Sequence, residues 1–303
     1  MQWQKTRGLV AGACLFGSFL SGCGGGSGSG SSSNPAARLV AFQSDRDGDT
    51  EIFMMNADGT AQTQRTRNTF SDGSPDISPD GRRIVFESLR EGDRSQEIYI
   101  MDADGTKPRR LTNDEFNTAN PRFSPDGSHV FFTSRRGDKQ NIYALDLATL
   151  QQQQWTFSPG GISDSDPSFT PDGRLVFASG VFGNQDILIL NTPGGVPQRI
   201  TEDTRNQLQP AVSPDGKQVI FTAGNGAGSD LYRRNIDGSN EQRLTTNIDY
   251  DGDAVFSPDG RRIVYTATVN GNFDIYVLDA DEIEKPPVRL TTNPGADRHP
   301  SIR

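Results

Sequence analysis

The chain has 303 residues, and its 33 glycines and 18 prolines make it rich in turns. Its 32% of hydrophobic residues and mean hydropathy of −0.62 exclude a polytopic membrane protein, in which each span needs about 20 mostly apolar residues. The formal net charge of −9, without a basic stripe, argues against nucleic-acid binding. Two histidines and two cysteines leave little material for a metal cluster, a thiol nucleophile or a disulfide framework.

The start of the chain has the layout of a secretory signal peptide. Lys5 and Arg7 precede a mainly apolar stretch, residues 8–20, that is too short to cross a membrane as a helix. The segment LSGC at 20–23 resembles the lipobox of bacterial lipoproteins, in which the cysteine is lipidated and becomes the mature N-terminus. A plain signal peptide with an incidental cysteine is the alternative. The resemblance implies lipid attachment at Cys23.

The next residues, 24–37, read GGGSGSGSSSNPAA and contain nothing to bury, so we expect a flexible tether. Lipoproteins of this type generally carry three acyl chains, and two or more chains anchor a protein stably. Gly24 in place of Asp implies, by resemblance to enterobacterial lipoproteins, the outer membrane. The predicted location is the periplasmic side of that membrane, with membrane contact through the lipid anchor only.

Five copies of one tetrapeptide mark an internal repeat. Four copies read Ser-Pro-Asp-Gly and one reads Thr-Pro-Asp-Gly, with steps of 46, 46, 43 and 44 residues between their prolines. Proline presets φ for a tight turn, aspartate tolerates the third position and glycine supplies a left-handed fourth position, so each copy predicts a hairpin connector. The copies begin at Ser78, Ser124, Thr170, Ser213 and Ser257.

Each copy is followed by an apolar triplet, a Gly-rich loop, a second apolar run, an Asp-Gly turn and a stretch of the Arg-Leu-Thr type. The triplets are β-branched and aromatic, as strands require. A four-stranded sheet per repeat follows, and a ring of such sheets with about 40–45 residues each is a β-propeller. In blade one, Thr66 is expected in the position that Leu111 holds in blade two.

The two ends of the chain complete the ring. The chain opens on the second and third strands of a unit, LVAF at 39–42 and EIFMM at 51–55, and finishes on a first strand, HPSIR at 299–303. We therefore predict an all-β fold, a six-bladed propeller of four-stranded antiparallel blades in which the C-terminal strand completes the N-terminal blade. Such closure leaves no exposed strand edge. The predicted domains are a signal peptide at 1–22, a lipidated cysteine and tether at 23–37, and the propeller at 38–303.

At this point the sequence resembles a known family. The tetrapeptide turn, the I-x-F strand, the I-Y strand, the Arg-Leu-Thr ending and a Ser-x-Arg loop start at 44–46, 88–90 and 134–136 look like TolB-type propeller repeats over residues 38–303. Ser-x-Arg is missing from the loops that begin at Ser179, Ala223 and Ala267. TolB is a periplasmic component of the Tol–Pal envelope system with an additional α/β domain before its propeller. The expectation is a TolB-like lipoprotein without that domain.

In a propeller the first strand of each blade lines the axis, so the loop before it and the loop between strands two and three share one face, here called the loop face. Variable loops favour binding on this face. Two sets of residues align there, one directly before the first-strand proline and one two positions earlier. The first ring is Ser74, Asn120, Asp166, Gln209, Asp253 and His299, and the second ring is Asp72, Thr118, Asp164, Gln207, Asp251 and Asp297.

Six aspartates of these rings are expected to converge on the axial mouth. Charges of one sign in such a mouth attract a cation or a basic partner, and hard oxygen ligands suit a structural Ca²⁺ at Asp164, Asp166, Asp251 and Asp253. The alternative is that these aspartates cap loops and accept backbone N–H bonds. No other cofactor is expected, and His299 alone near the mouth builds neither a catalytic triad nor a His-rich metal centre.

Basic and aromatic residues in the same loops are further binding candidates. Arg46, Arg90 and Arg136 lie on the loop face of blades one to three, with pairing to a neighbouring acid or loop carbonyl as the alternative. Phe70, Phe116, Phe182 and Tyr250 are candidate partner anchors, with folding back onto the core as the alternative.

The leading functional prediction is a non-enzymatic, membrane-tethered, monomeric module that binds a cell-envelope or peptidoglycan-associated protein through the loop face and axial mouth. A second prediction is a propeller that binds or processes a glycan or another small ligand, with Asp164/Asp166 or Asp251/Asp253 as the acidic pair. Two carboxylates that cleave a glycosidic bond lie about 5–10 Å apart. A third prediction is a scaffold protein with structural Ca²⁺ in the axial channel of the propeller.

Overall fold

The computed structural model of the protein describes residues 38–90, 95–113, 115–224, 228–246 and 249–303. Within these ranges the chain forms six four-stranded antiparallel sheets, so the predicted six-bladed propeller is confirmed. The part of the chain that the structure describes has no helix long and apolar enough to cross a membrane. The predicted signal peptide at 1–22 and the lipidated Cys23 with its tether at 23–37 lie outside the described residues and stay predictions.

Each blade runs from an inner strand at the axis to an outer strand at the rim. Blade one contains β1 (Leu39–Ser44), β2 (Glu51–Asn56), β3 (Thr63–Gln64) and, as its inner strand, the last strand of the chain. Blade two contains β4 (Asp72–Ile77), β5 (Arg83–Ser88), β6 (Glu97–Asp102) and β7 (Arg109–Arg110), and blade three contains β8 (Asn117–Phe123), β9 (His129–Arg136), β10 (Lys139–Asp146) and β11 (Gln152–Gln154). Blade four contains β12 (Asp164–Phe169), β13 (Leu175–Ser179), β14 (Asp186–Leu190) and β15 (Gln198–Arg199), and blade five contains β16 (Asn206–Val212), β17 (Gln218–Gly224), β18 (Asp230–Asn235) and β19 (Gln242–Arg243). Blade six contains β20 (Asp251–Phe256), β21 (Arg262–Val269), β22 (Asn272–Asp279) and β23 (Val288–Arg289).

The last strand, β24 (Asp297–Ile302), closes the ring by pairing antiparallel with β1. The register places Ile302 opposite Val40 and Asp297 opposite Ser44. The Ser301 hydroxyl also reaches blade two, donating to Asp76 Oδ1 at 2.8 Å and accepting from the Ile77 amide at 3.1 Å. The predicted completion of the first blade by the C-terminal strand is confirmed.

The middle strands are apolar on both faces because every blade is covered by a neighbour on each side. Val85 and Ile98 of blade two, for example, pack against Val130 and Phe132 of blade three. One buried aromatic residue recurs at the same place on the second strand of each blade and packs on the third strand. These residues are Phe42, Phe86, Phe132, Phe177, Phe221 and Tyr265.

The recurring tetrapeptide builds the turn between strands one and two. In blade three the Ser124 hydroxyl donates to Asp126 Oδ1 at 2.6 Å and accepts from the His129 amide at 3.0 Å, while the Ser128 amide donates to the same carboxylate at 3.1 Å. Gly127 has a φ of 70°, the left-handed conformation that glycine adopts without strain. The turn chemistry expected from the sequence is confirmed.

Acid pH should weaken this turn. The Ser124 hydroxyl, with the amide and hydroxyl of Ser128, lowers the pKa of Asp126 to about 2, below the value of about 3.9 for an unfolded aspartate. The carboxylate therefore stabilises the fold above about pH 4, and its contribution is lost as the pH falls through the folded pKa. We expect Asp126→Asn to cost about 1 kcal/mol at neutral pH and less as the pH approaches 2.

Thermal unfolding across this pH range checks the prediction. The exposed Asp281→Asn provides the control, with the same charge change outside a tetrapeptide turn. A difference between Asp126→Asn and the parent chain that stays constant with pH would contradict the argument.

The Arg-Leu-Thr ending joins the outermost strand to the third strand. The Thr112 hydroxyl accepts from the Ile98 amide at 2.9 Å, and the Thr66 hydroxyl accepts from the Ile52 amide at 2.8 Å. Thr66 therefore matches Thr112, and the expected match to Leu111 is wrong. Arg65 holds the leucine position, since its amide donates to the Ile52 carbonyl as the Leu111 amide does to that of Ile98.

Candidate functional site

The inner strands of all six blades enclose an axial channel of ≈ 550 Å³. Side chains of the first ring border it at the loop face, and the prolines of the tetrapeptide turns border it at the opposite face. Between them lie Asp76 and Arg122, so the channel wall carries both signs of charge. The bordering residues at the loop face are Ser74, Asn120, Asp166, Gln209, Asp253 and His299.

An unusual backbone conformation aims the first ring into the channel. All six residues have φ angles from 47° to 54°, a region that residues other than glycine rarely occupy. The strand register breaks at the same place, for example between Gly73 and Asp76 in blade two and between Ser165 and Ser168 in blade four. Such bulges re-aim side chains and are frequent beside binding sites, and strained backbone of this kind clusters at functional sites.

Hydrogen bonds connect the first ring from blade to blade. Asn120 Nδ2 donates to Asp166 Oδ1 at 2.9 Å, and Gln209 Nε2 donates to Asp253 Oδ1 at 2.5 Å. The backbone N–H of Gln209 donates to Asp166 Oδ2 at 3.3 Å, and His299 Nε2 lies 3.3 Å from Asp253 Oδ1. Five of the six polar residues at the mouth are thus held in place by contacts with neighbouring blades.

Asp166 has the most perturbed environment in this circle. Burial against the channel wall raises the pKa of its carboxyl, although hydrogen bonds from the Ser165 hydroxyl and the Gln209 amide act in the opposite direction. The nearby charge of Asp253 raises the pKa further, and Arg122 lowers it. A positively charged group that enters the mouth would favour the ionised form of the Asp166 carboxyl.

The second ring lies inside the blades. All six of its side chains are buried, and none borders the axial channel. Asp72 Oδ2 accepts from Arg90 Nη2 at 2.5 Å and from Asn68 Nδ2 at 2.7 Å. The expected convergence of six aspartates is therefore not formed. Asp166 and Asp253 reach the channel, whereas Asp72, Asp164, Asp251 and Asp297 do not, because the bulge turns only the first-ring side chain inward.

A second cavity of ≈ 660 Å³ opens beside the mouth along blades five and six. It shares Gln209, Asp253 and His299 with the axial channel. The Tyr250 hydroxyl donates to Gln209 Oε1 at 3.1 Å, and burial raises the pKa of Tyr250. Tyr250 was expected as a loop aromatic. Sequence reasoning missed its neighbours Phe273 and Arg298, whose guanidinium lies 3.5 Å from the Phe273 ring centroid.

Residues 95–303 match the family model of the TolB beta propeller domain. The chain belongs to the TolB β-propeller domain family. No curated protein matches it.

Solved structures with the same fold include two TolB proteins and an enzyme. TolB from Acinetobacter baumannii is 22% identical with a TM-score of 0.76, over 88% of this chain and 66% of that chain. A putative TolB from Agrobacterium tumefaciens is 18% identical with a TM-score of 0.66, over 84% and 88%. Hydrazine synthase from Kuenenia stuttgartiensis is 17% identical with a TM-score of 0.73, over 88% and 47%. This chain thus spans less than two thirds of the Acinetobacter TolB and about half of the hydrazine synthase chain. Sequence identities this low show the fold alone.

The loop arginines of this TolB-family propeller are held inside their blades. Arg46 and Arg90 have side chains only 17% and 16% exposed, paired with Asp297 and Asp72. Arg136 stacks on the Tyr143 ring. Arg46 and Arg90 therefore follow the alternative expectation, in which the arginine pairs with a neighbouring acid.

Neither a metal cluster nor a facing pair of acids is assembled in the propeller from the expected carboxylates. Among the described residues, no three or more His, Cys, Asp or Glu side chains are grouped to hold a metal ion. The expected calcium arrangement is therefore not formed. Asp166 borders the axial channel and Asp164 borders a separate pocket in blade four. Their separation follows from the bulge between them.

Proposed function

We propose that the chain is a non-enzymatic binding module of the cell envelope that captures a protein partner at the axial mouth of the propeller. The observation that carries this proposal is the first ring, six polar residues on strained backbone at the loop face, five of which are linked from blade to blade. A preorganised polar surface loses little freedom on binding, which favours affinity. The ring lacks a nucleophile activated by a neighbouring base, so it supports recognition in preference to catalysis.

Membership in the TolB β-propeller family supports an envelope partner, and the LSGC segment at 20–23 supports export and anchoring through Cys23. The TolB-type proteins of similar fold are in keeping with this role. We therefore propose that binding takes place in the periplasm, next to the outer membrane. The glycan alternative gains no support from Asp164 and Asp166, since they border different cavities.

The carboxylates of the mouth should contribute to capture. The double variant Asp166→Asn/Asp253→Asn keeps the shape of the ring and removes two negative charges that face the channel. We expect about tenfold weaker capture, equivalent to about 1.4 kcal/mol, because the partner loses charge-assisted hydrogen bonds. Crosslinking of the full chain in intact envelopes, followed by mass spectrometry, identifies and quantifies the captured protein.

The matched control is Asp58→Asn/Asp237→Asn, which removes two exposed charges from Asp-Gly turns on the opposite face. Equal capture by the mouth variant and this control variant would overturn the assignment of the mouth as the binding site.

A further inference from the structure

In blades one to three, an arginine occupies the same position at the loop face. Its Nε donates to the serine two residues earlier, at 2.8 Å in blade one, 2.9 Å in blade two and 3.4 Å in blade three. Its guanidinium lies 4.4, 4.8 and 3.9 Å from an aromatic ring centroid on the third strand. The arginines are Arg46, Arg90 and Arg136.

In blades one and two this arginine neutralises a buried aspartate of the inner strand. Arg46 Nη2 donates to Asp297 Oδ1 at 3.1 Å, and Arg90 Nη2 donates to Asp72 Oδ2 at 2.5 Å. Serine, aspartate and a stacked aromatic platform therefore form a recurring guanidinium site. A buried carboxylate requires such a partner, because an unpaired buried charge is costly.

Blade four keeps the aspartate and the serine of this site, has Leu188 in place of the third-strand aromatic residue, and lacks the arginine. Asp164 lies opposite Ser179 in the strand register, as Asp72 lies opposite Ser88 in blade two. The residue two positions after Ser179 is Val181. In place of a guanidinium there is a pocket of ≈ 260 Å³, bordered by Asp164, Ser179, Val181 and the buried Phe177.

The aspartate in this pocket has unused hydrogen-bonding capacity. Asp164 is 0% exposed, and its Oδ2 accepts from the Ser158 hydroxyl at 2.7 Å. Its Oδ1 is buried and has no hydrogen-bond partner. In blade six the equivalent Asp251 lies opposite Ala267, so the serine of the site is missing there. Blade four thus retains both the acid and the serine of the site, without the arginine.

The rim of the pocket is apolar and open to solvent. Phe157 is 63% exposed and Val181 is 38% exposed, and both border the pocket. Phe182, the next residue along the chain, is 50% exposed and lies under the guanidinium of Arg199, 4.4 Å from it. Exposed aromatic residues around a buried carboxylate suit an arginine, whose methylene stem packs on apolar surface while its planar head pairs with a carboxylate.

We propose that the blade-four pocket binds an arginine side chain supplied by a protein partner, in place of the arginine that blades one and two supply themselves. The guanidinium pairs with Asp164 Oδ1, and the stem packs between Phe157 and Val181 beside the buried Phe177. The inference rests on the proposed function in one respect, namely that the arginine belongs to a protein partner. Arginine and aromatic residues are enriched where binding energy concentrates.

The test uses N-acetyl-arginine amide as the probe and N-acetyl-citrulline amide as its neutral isostere, titrated into the full chain and followed by NMR. We expect saturable binding of the arginine probe and at least about tenfold weaker binding of citrulline. Asp164→Asn should weaken the arginine probe to the same degree. Val181→Arg should abolish binding and raise the Tm, because it places in cis the arginine that blades one and two already contain.

Absence of arginine binding to the parent chain overturns the proposal, and so does equal binding of citrulline or undiminished binding to Asp164→Asn. The Asn variant is isosteric, so it keeps the test decisive if Val181→Arg does not fold. The mouth variant Asp166→Asn/Asp253→Asn should bind the probe as the parent chain does. Its behaviour separates a failure of the blade-four pocket from a failure of the proposed capture at the mouth.

Discussion

Replacing Arg90 with methionine is expected to lower the free energy of unfolding by about 3 to 5 kcal/mol, the range observed when one partner of a buried ion pair is removed. Asp72 is fully buried and accepts from Arg90 Nη2 at 2.5 Å, so the variant leaves its charge with Asn68 as the remaining side-chain donor. The loss also removes the guanidinium from its place 4.8 Å from the Tyr99 ring centroid and from its bond to Ser88.

Urea denaturation of the purified chain measures this effect. Arg135→Met is the matched control, because Arg135 is exposed and its guanidinium bonds only to the Gln140 side chain among the described residues, and such surface substitutions change stability by about 0.5 kcal/mol or less. Adding Asp72→Asn to Arg90→Met should restore part of the loss by removing the uncompensated charge. A cost below about 1 kcal/mol for Arg90→Met would mean that the pair behaves as a surface ion pair.

The fold could be predicted because its signals are local and recur along the chain. The Ser124 hydroxyl, the Asp126 carboxylate and Gly127 satisfy the turn between themselves, so the same four residues specify it wherever they occur. The split blade was predictable for the same reason, since strands at both ends of the chain lacked their partners. The position of Thr66 was not predictable, because Arg65 stands where blades two, five and six have leucine, and the alignment is fixed by hydrogen bonds of Arg65 and Thr66 to Ile52.

The direction of the ring side chains could not be predicted from spacing. Residues two apart on a regular strand share a face, so Asp164 and Asp166 were expected to point into one opening. The residue before a proline is ordinarily extended, yet Asp166 has a φ of 54°. This bulge separates the two carboxylates and leaves Asp164 inside the blade. Sequence alignment therefore identified the members of both rings and could not distinguish their surroundings.

The blade-four pocket left a sequence signal whose meaning depended on the structure. The absence of Ser-x-Arg at 179–181 was visible, and so was the retained Asp164. Their connection appears only when the strand register places Asp164 opposite Ser179 and the equivalent Arg90 is seen to bind Asp72. The missing arginine and the retained Asp164 therefore belong to one site.

Removal of residues 297–303 is expected to prevent the propeller from forming a stable monomer. The deletion takes away the inner strand of blade one, so the strand β1 loses its partners from Val40 to Ser44 and becomes an exposed edge, which promotes aggregation. It also opens the axial channel at His299 and breaks the Ser301 bonds to blade two. Size-exclusion chromatography and near-UV circular dichroism should show aggregated protein without fixed tertiary packing.

A milder variant separates ring closure from general damage. Ser301→Ala keeps β24 and removes only the hydroxyl that binds Asp76 Oδ1 and the Ile77 amide. Because Asp76 is buried, we expect a loss of about 1 to 3 kcal/mol, the cost of leaving a buried polar group unsatisfied, with the protein still monomeric. If the truncated chain were also monomeric, with an unchanged Tm, pairing of β24 with β1 would not be what holds the ring closed. Aggregation of the truncated chain, with a monomeric but less stable Ser301→Ala, would assign closure to the strand and its reinforcement to this one hydroxyl.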